Sequence, residues 1–220
     1  MTVPQEKTTA MRAFRALAHA DASVRLQAAL AVGSAPDPAF VGGLVGRCGV
    51  EPEFSVREML TWALTRHEPS ATVPALLAEL RSDRARARSQ ALHTLSKIGD
   101  RRAWPALTPE LLADADDEVA RTAWRTAVVL APSGERPRLA VELAKHLGRG
   151  DRGTQLSLSR ALVALGEAVR PALEAATTAP DPRVRTHALA TERLRQDPEA
   201  GFEFAVEEAK RIVALGGEGR

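Results

Sequence analysis

The chain has 220 residues, 45% of them apolar and 26% charged, with a formal net charge of +2. No stretch approaches the about 18 consecutive apolar residues of a membrane-spanning helix, and one cysteine, Cys48, excludes an internal disulfide and lacks metal-binding companions. Residues 1–7 lack the basic start and apolar run of a secretory signal, so a cytoplasmic location is the expectation.

Along the chain, a fragment of the form Asp-x-x-Val-Arg-x-x-Ala recurs. It begins as Asp21-Ala22-Ser23-Val24-Arg25 and is clearest as Asp181-Pro182-Arg183-Val184-Arg185. With the Val position as marker, six copies fall at Val24, Val56, Ala87, Val119, Thr154 and Val184, spaced 32, 31, 32, 35 and 30 residues. A near-constant period of that size means stacked repeats. Each copy reads as a helix start. Asp21, Asp116, Asp151 and Asp181 are suited to accept N-terminal N–H groups, and Pro182 fits a first helical position. Glu53 takes that place in the second copy, and Asp83 is displaced by one residue in the third. Apolar or small residues then recur at the marker, +4, +8 and +11, as in Ala87, Ala91, Leu95 and Ile98, a period near that of a helix. Gly99 and Gly166 are expected to end the third and fifth helices.

A second apolar stretch precedes these helices, for example at residues 73–80, 103–112 and 139–147, with Pro74 and Pro105 read as first-turn prolines. The unit is helix, turn, helix. One domain over residues 1–220 is expected, with repeats at about 6–34, 38–67, 71–99, 102–131, 136–166 and 168–196. A capping helix is expected at 199–215, followed by a frayed tail at 216–220.

The Asp-Pro-x-Val-Arg-x-x-Ala pattern with its helix-ending Gly resembles HEAT repeats, particularly the short bacterial kind, over about residues 6–195. The resemblance implies an all-α fold, a right-handed α-solenoid whose second helices line a concave side. It also implies a ladder of matching Asp and Arg between repeats. Arg25, Arg57, Arg88 and Arg185 hold the Arg position, with Asp21 and Asp181 as the clearest acids. Ala120 and Gln155 depart from it, so the ladder is expected to break in the fourth and fifth repeats.

If the marker row faces the core, the +2, +6 and +9 rows face away from it. The middle repeats then present Glu58, Trp62, Ser89, His93, Arg121, Arg125 and Arg160 as a binding strip, because Trp and Arg are favoured where interfaces concentrate their energy. A solvated face carrying a Trp packed sideways is the alternative. Trp124, at +5, reads as packed between repeats. Arg81, Arg84, Arg86, Arg88, Arg101 and Arg102 crowd the third repeat and read as a solvated edge, with phosphate contact as the other reading.

Catalytic motifs are weak. Residues 148–153 spell G-x-G-x-x-G, but a helix precedes them where a dinucleotide site needs a strand. Certain HEAT-repeat hydroxylases hold two irons with several His-Glu pairs; this chain has one, His67-Glu68. Phycobilin lyases share related repeats, but no motif here supports their activity. Ser89, His93 and Glu58 form a hydrolase-like triad on paper without an oxyanion site. HEAT-like DNA glycosylases are implied to use Trp, Arg and a carboxylate, which Trp62, Arg125, Arg160 and Glu58 or Asp116 could imitate. The expectation is a non-enzymatic scaffold without metal or cofactor, binding a protein or peptide segment of acidic character. Nucleic-acid binding, with or without glycosylase activity, and a regulatory domain acting with a transcription factor are the alternatives.

Overall fold

The computed structural model describes residues 3–197 and 201–217. These residues form α-helices and short 3-10 turns, with no strand among them. The chain divides into two compact units, residues 1–106 and 107–220. The first holds α1 (Val3–Ala16), α2 (Ala22–Ser34), α3 (Val41–Cys48), α4 (Phe54–Thr65), α5 (Pro69–Glu79) and α6 (Ala85–Ile98). The second holds α7 (Pro109–Leu112), α8 (Asp117–Leu130), α9 (Arg136–Ala144), α10 (Arg152–Val163), α11 (Arg170–Thr177), α12 (Pro182–Gln196) and α13 (Phe202–Gly217).

Within the first unit, α2 packs on α4 and α4 on α6, while α1, α3 and α5 back them. Within the second, α8, α10, α12 and α13 pack in sequence, and α7, α9 and α11 back the first three. Each unit is thus two layers of helices, and each helix buries one face on its partner and another on the neighbouring repeat.

The helix starts follow the capping chemistry of the sequence. Asp21, Asp116, Asp151 and Asp181 all accept backbone N–H groups from the first turns of α2, α8, α10 and α12. Gly99 ends α6 in the left-handed region at φ 70°. The marker residues Val56, Ala87, Val119 and Thr154 are buried. Val24, in the first repeat, keeps 36% of its surface, and Val184 is half-buried.

The backing layer is less regular than the sequence suggests. α5 starts at Pro69, so Pro74 sits inside the helix and removes one helical hydrogen bond rather than opening the first turn. Residues 103–112 do not form one helix. A 3-10 turn spans Arg101–Ala106, and the four-residue α7 begins at Pro109 with Thr108 capping Leu111 N–H. Pro105 and Pro109, four apart, remove the donors a continuous helix would need. At the other end, α13 continues to Gly217, so residues 216–217, expected to fray, are helical. Of that tail, 218–220 lie outside the described residues, as do 199–200 at the expected start of the cap.

A polar seam lies between the second helices. Gln90 Nε2 donates to Thr61 Oγ1 at 2.8 Å, Thr61 and Thr94 hydroxyls meet at 3.3 Å, and Thr94 also donates to the Gln90 carbonyl. In the second unit the Ser159 hydroxyl lies 2.7 Å from Thr191 and 3.0 Å from His187. These buried groups are satisfied by one another, as buried polar atoms must be.

Candidate functional site

The repeated arginine has one recurring task. Arg25 donates through Nη1 to the carbonyls of His19 and Ala20, six and five residues earlier. Arg57 does the same to Glu51 and Pro52, Arg185 to Ala179 and Pro180, and Arg88 to Ser82. Each guanidinium therefore ties down the turn that leads into its own helix. The expected Asp–Arg ladder takes a different form: Asp21 and Asp181 are occupied as helix caps, and the carboxylate that Arg25 meets is Glu51 of the next repeat. A capping aspartate points along its own helix axis, so it is badly placed to bridge repeats.

Glu51 is the centre of this arrangement. Fully buried, it receives Nε and Nη2 of Arg25 at 2.8 and 2.7 Å and Nε and Nη2 of Arg47 at 2.9 and 2.6 Å. Its main-chain carbonyl accepts from both Arg57 and Arg86. Burial alone would raise the Glu51 pKa. The hydrogen bonds from Arg25, the Glu53 N–H and Arg47 outweigh burial and hold the carboxyl at about 2. Nearby, burial and then the Glu51 charge push the Cys48 thiol up to about 12.

The two repeats without the arginine are tied differently. In the fourth, Ala120 leaves the Asp114 carbonyl, six residues earlier, to Arg149 Nη2 from the following repeat. Arg149 also bonds Asp117 and lies 5.9 Å over Trp124. In the fifth, the Gln155 amide reaches the Gly150 carbonyl at 3.4 Å. The residues that spell G-x-G-x-x-G thus form a structural loop, with Gly148 and Gly150 at φ 83° and 70°. Trp124 is fully buried against His146, with its Nε1–H on the Leu112 carbonyl, and so lies between repeats.

The outward rows sit as follows. In the first unit, His93 Nε2 lies 3.1 Å from Glu58 across α6 and α4, and Ser89 is half-buried one turn before His93. Trp62 is 37% exposed. Its ring rests on Gly33 of α2, where an added Cβ would stand 2.5 Å from Trp62 Cζ3. It is therefore both packed sideways and accessible on one face, and Leu30, one turn before Gly33, is 38% exposed.

In the second unit, Arg121 and Arg125 lie 3.7 and 4.0 Å from Glu118, and Arg125 Nη2 bonds the Thr122 hydroxyl. Arg160 is exposed. The last repeat is covered: Ala190, of the +6 row, is buried in a cluster with Phe202, Ala205, Val206 and Ala209 of α13, and Leu156 packs against it. Arg152 pairs with Glu203 and Glu207, and Arg193 with Glu208, to hold the same helix. The capping helix therefore closes the outward face at its end and leaves Arg121, Arg125 and Arg160 uncovered by it.

His67 is buried, with Nδ1 2.8 Å from the Ala63 carbonyl. Among the described residues, no group of three or more His, Cys, Asp or Glu could hold a metal ion. The seam residues Thr61, Gln90, Thr94, Ser159 and Thr191, and the hub Glu51, were not legible as interacting groups in the sequence. The signal that could have found them is a polar residue recurring at +3, +5 or +7 on an otherwise apolar face.

A family model of HEAT repeats matches residues 47–128. Among solved structures, the chain is similar to an engineered protein at 18% identity, covering 91% of this chain and 97% of that one with a TM-score of 0.47. It is also similar to human deoxyhypusine hydroxylase in complex with glycerol, at 17% identity, 99% and 98% coverage and a TM-score of 0.49. A third is the complex of CpcE and CpcF of phycocyanin lyase from a Nostoc species, at 18% identity, 93% and 94% coverage and a TM-score of 0.41. No curated protein matches the chain.

Proposed function

We propose that the chain, which a family model of HEAT repeats matches over residues 47–128, is a non-enzymatic interaction module that holds an acidic protein segment on the outward faces of its second helices. The observation that carries this reading is the charge on α8 and α10. Three guanidiniums, Arg121, Arg125 and Arg160, stand on these faces; Glu118 is at salt-bridge distance from the first two, Asp151 also feels the charge of Arg121, and Arg160 is exposed with no ion pair among the described residues. Guanidiniums left with spare donors grip carboxylates bidentately. Trp62, with one face on Gly33 and the other accessible, supplies a rigid apolar anchor in the first unit, and Glu58, Ser89 and His93 supply polar contacts beside it.

Affinity capture from the source lysate, with the captured protein identified and rebound in purified form, tests the proposal. Replacing Trp62 and Arg125 by Ala should weaken that purified complex at least about tenfold while leaving the helical circular dichroism unchanged. Unchanged affinity in the double variant would sink the reading.

A second reading, nucleic-acid binding, is favoured by the charge of the first unit, where residues 1–106 carry 14 Lys and Arg against 10 Asp and Glu. Residues 107–220 carry 16 against 18, so the excess is confined to one unit. Tight duplex binding that falls steeply with added salt would favour this reading, and release of damaged bases from alkylated duplex would extend it to glycosylase activity. Co-purification with a transcription factor would instead place the same strip in a regulatory role.

A further inference from the structure

The first unit carries a cavity on its backing layer, away from the second-helix strip. It is a groove of about 470 Å³ between α1 and α3, within the size range of small-molecule sites. Its apolar walls come from Phe14, Leu17, Ala18 and Val50. Val50 is 43% exposed, so its side chain is available to a molecule in the groove.

Glycines of α3 form the floor, and the two that line the groove have different tasks. At Gly43 an added Cβ would stand 2.1 Å from the Phe14 ring, so this glycine lets α1 approach. Phe14 in turn stacks on Phe40 at 4.8 Å, which fixes that wall. At Gly46 an added Cβ would meet nothing within 4 Å, so the groove is open down to the helix backbone.

The polar lining is cationic. Arg15 and Arg47 are the charged residues of the groove, and no acid lines it. Arg15 is exposed, and its guanidinium makes no hydrogen bond or ion pair among the described residues. Arg47 gives Nε and Nη2 to Glu51, which holds its guanidinium in place and leaves Nη1 without a partner among those residues. An apolar trough with one tethered and one untethered guanidinium matches a ligand with an apolar body and an anionic head.

We propose that the α1–α3 groove binds a small anionic amphiphile of the medium-chain carboxylate class, its tail over Gly46 and its head between Arg15 and Arg47. This site is independent of the second-helix strip, because it lies on the other helix layer and shares no residue with it.

Isothermal titration of the full chain with dodecanoate, kept below its micelle concentration, tests the site. The expected result is saturable binding at one site per chain. Gly46→Met fills the trough without a clash and should weaken binding at least about tenfold. Arg15→Gln removes a group with no structural partner and should weaken it about fivefold to tenfold. Gly42→Met, on the same helix, also meets open space but does not line the groove, so it should leave binding unchanged. Dodecyltrimethylammonium, with the same tail and opposite charge, should bind far more weakly.

Non-saturable uptake, equal binding of the cationic analogue, or equal binding by Gly46→Met would each overturn the proposal. Weak dodecanoate binding beside tight binding of an acidic amphipathic peptide would overturn it in favour of a partner helix. None of these results bears on the Trp62 and Arg125 double variant, so the two proposals fail separately.

Discussion

Arg149 donates through Nη2 to the main-chain carbonyl of Asp114, 35 residues earlier, and so occupies the carbonyl that the repeat's own arginine reaches elsewhere. Asp114 stands six residues before Ala120, as His19 stands before Arg25 and Ala179 before Arg185. The arginine lost from one repeat is supplied by the next. The longer 35-residue interval accommodates this, since the loop with Gly148 and Gly150 carries Arg149 back toward α8.

Arg149→Ala should therefore destabilise the second unit by about 1–2 kcal/mol, as loss of a hydrogen bond from a charged donor does. Arg149→Lys should recover little of it, because an ammonium cannot contact Asp117, the Asp114 carbonyl and the Trp124 face together. Chemical denaturation followed by Trp emission checks this. A lysine variant as stable as the parent would remove the argument for a shared guanidinium.

The repeat and its helices were legible because capping and apolar period are local properties. Asp21, Asp116, Asp151 and Asp181 act within three residues of themselves, so their positions announce their roles. The departures at Ala120 and Gln155 were visible too, but their consequence was not. Sequence spacing does not say that Arg149 and the Gln155 amide fill the vacant places. Glu51 was invisible for a different reason. Its partners lie 26, 4, 6 and 35 residues away, and two of them bond its carbonyl, which carries no side-chain signature. The outward strip could be named by row, but Ala190 shows the limit of that logic: the +6 row points out only where no capping helix covers it. The Pro74 and 103–112 readings failed because a proline's place in a helix depends on where the helix starts, and the preceding turns decide that.

Glu51 and Cys48 give a direct probe of the first unit. Glu51→Gln keeps the shape but leaves two guanidiniums without a counter-charge. The cost should be roughly 3 kcal/mol, the low end for a broken buried pair because Arg47 keeps some solvent contact. Cys48, the only cysteine, is buried and its thiol is held at about 12, so Ellman's reagent at pH 8 should react only when the unit opens. With opening and closing fast relative to labelling, the rate should rise about a hundredfold in Glu51→Gln, matching that cost. Fast labelling of the unaltered chain would contradict the burial of this site.

Gly33 is where α2 and α4 come closest. An added Cβ would stand 2.5 Å from Trp62 Cζ3 and 2.8 Å from Ala63 Cα. Gly33→Ala should thus cost about 1–3 kcal/mol, although Ala is the better helix former by about 1 kcal/mol. Part of that cost should persist in a Trp62→Ala background, because the Ala63 backbone contact remains. Thermal melts of the two single variants and the double variant give the comparison. If Gly33→Ala stabilises the chain, the close approach that positions Trp62 is not obligatory.

The final repeat carries an acid sensitivity with a defined sign. His187 is buried with Nδ1 accepting the Gly148 N–H at 3.0 Å, so its proton resides on Nε2, facing the Gln155 carbonyl and the Ser159 hydroxyl. A second proton would set two N–H groups against each other. Burial, with a smaller contribution from Arg152, pushes the pKa down to about 4 against the opposing pull of the Gln155 carbonyl. The unfolded imidazole titrates near 6.5, so it takes up a proton between pH 6.5 and 4 while the folded one does not. The stability contribution is complete above pH 6.5 and is lost progressively as pH falls to 4, by roughly 3 kcal/mol. Glu51 acts in a separate, lower window, from about 4.5 to 2, also losing its contribution as pH falls. Thermal melts between pH 7 and 4 should show a falling midpoint, and His187→Gln should flatten that slope while lowering the midpoint at pH 7. His146, held low by burial beside Arg149, contributes to the slope that remains, and near pH 4 so do carboxylates held low by their partners, Glu51 among them. An undiminished slope in His187→Gln would place the acid sensitivity elsewhere.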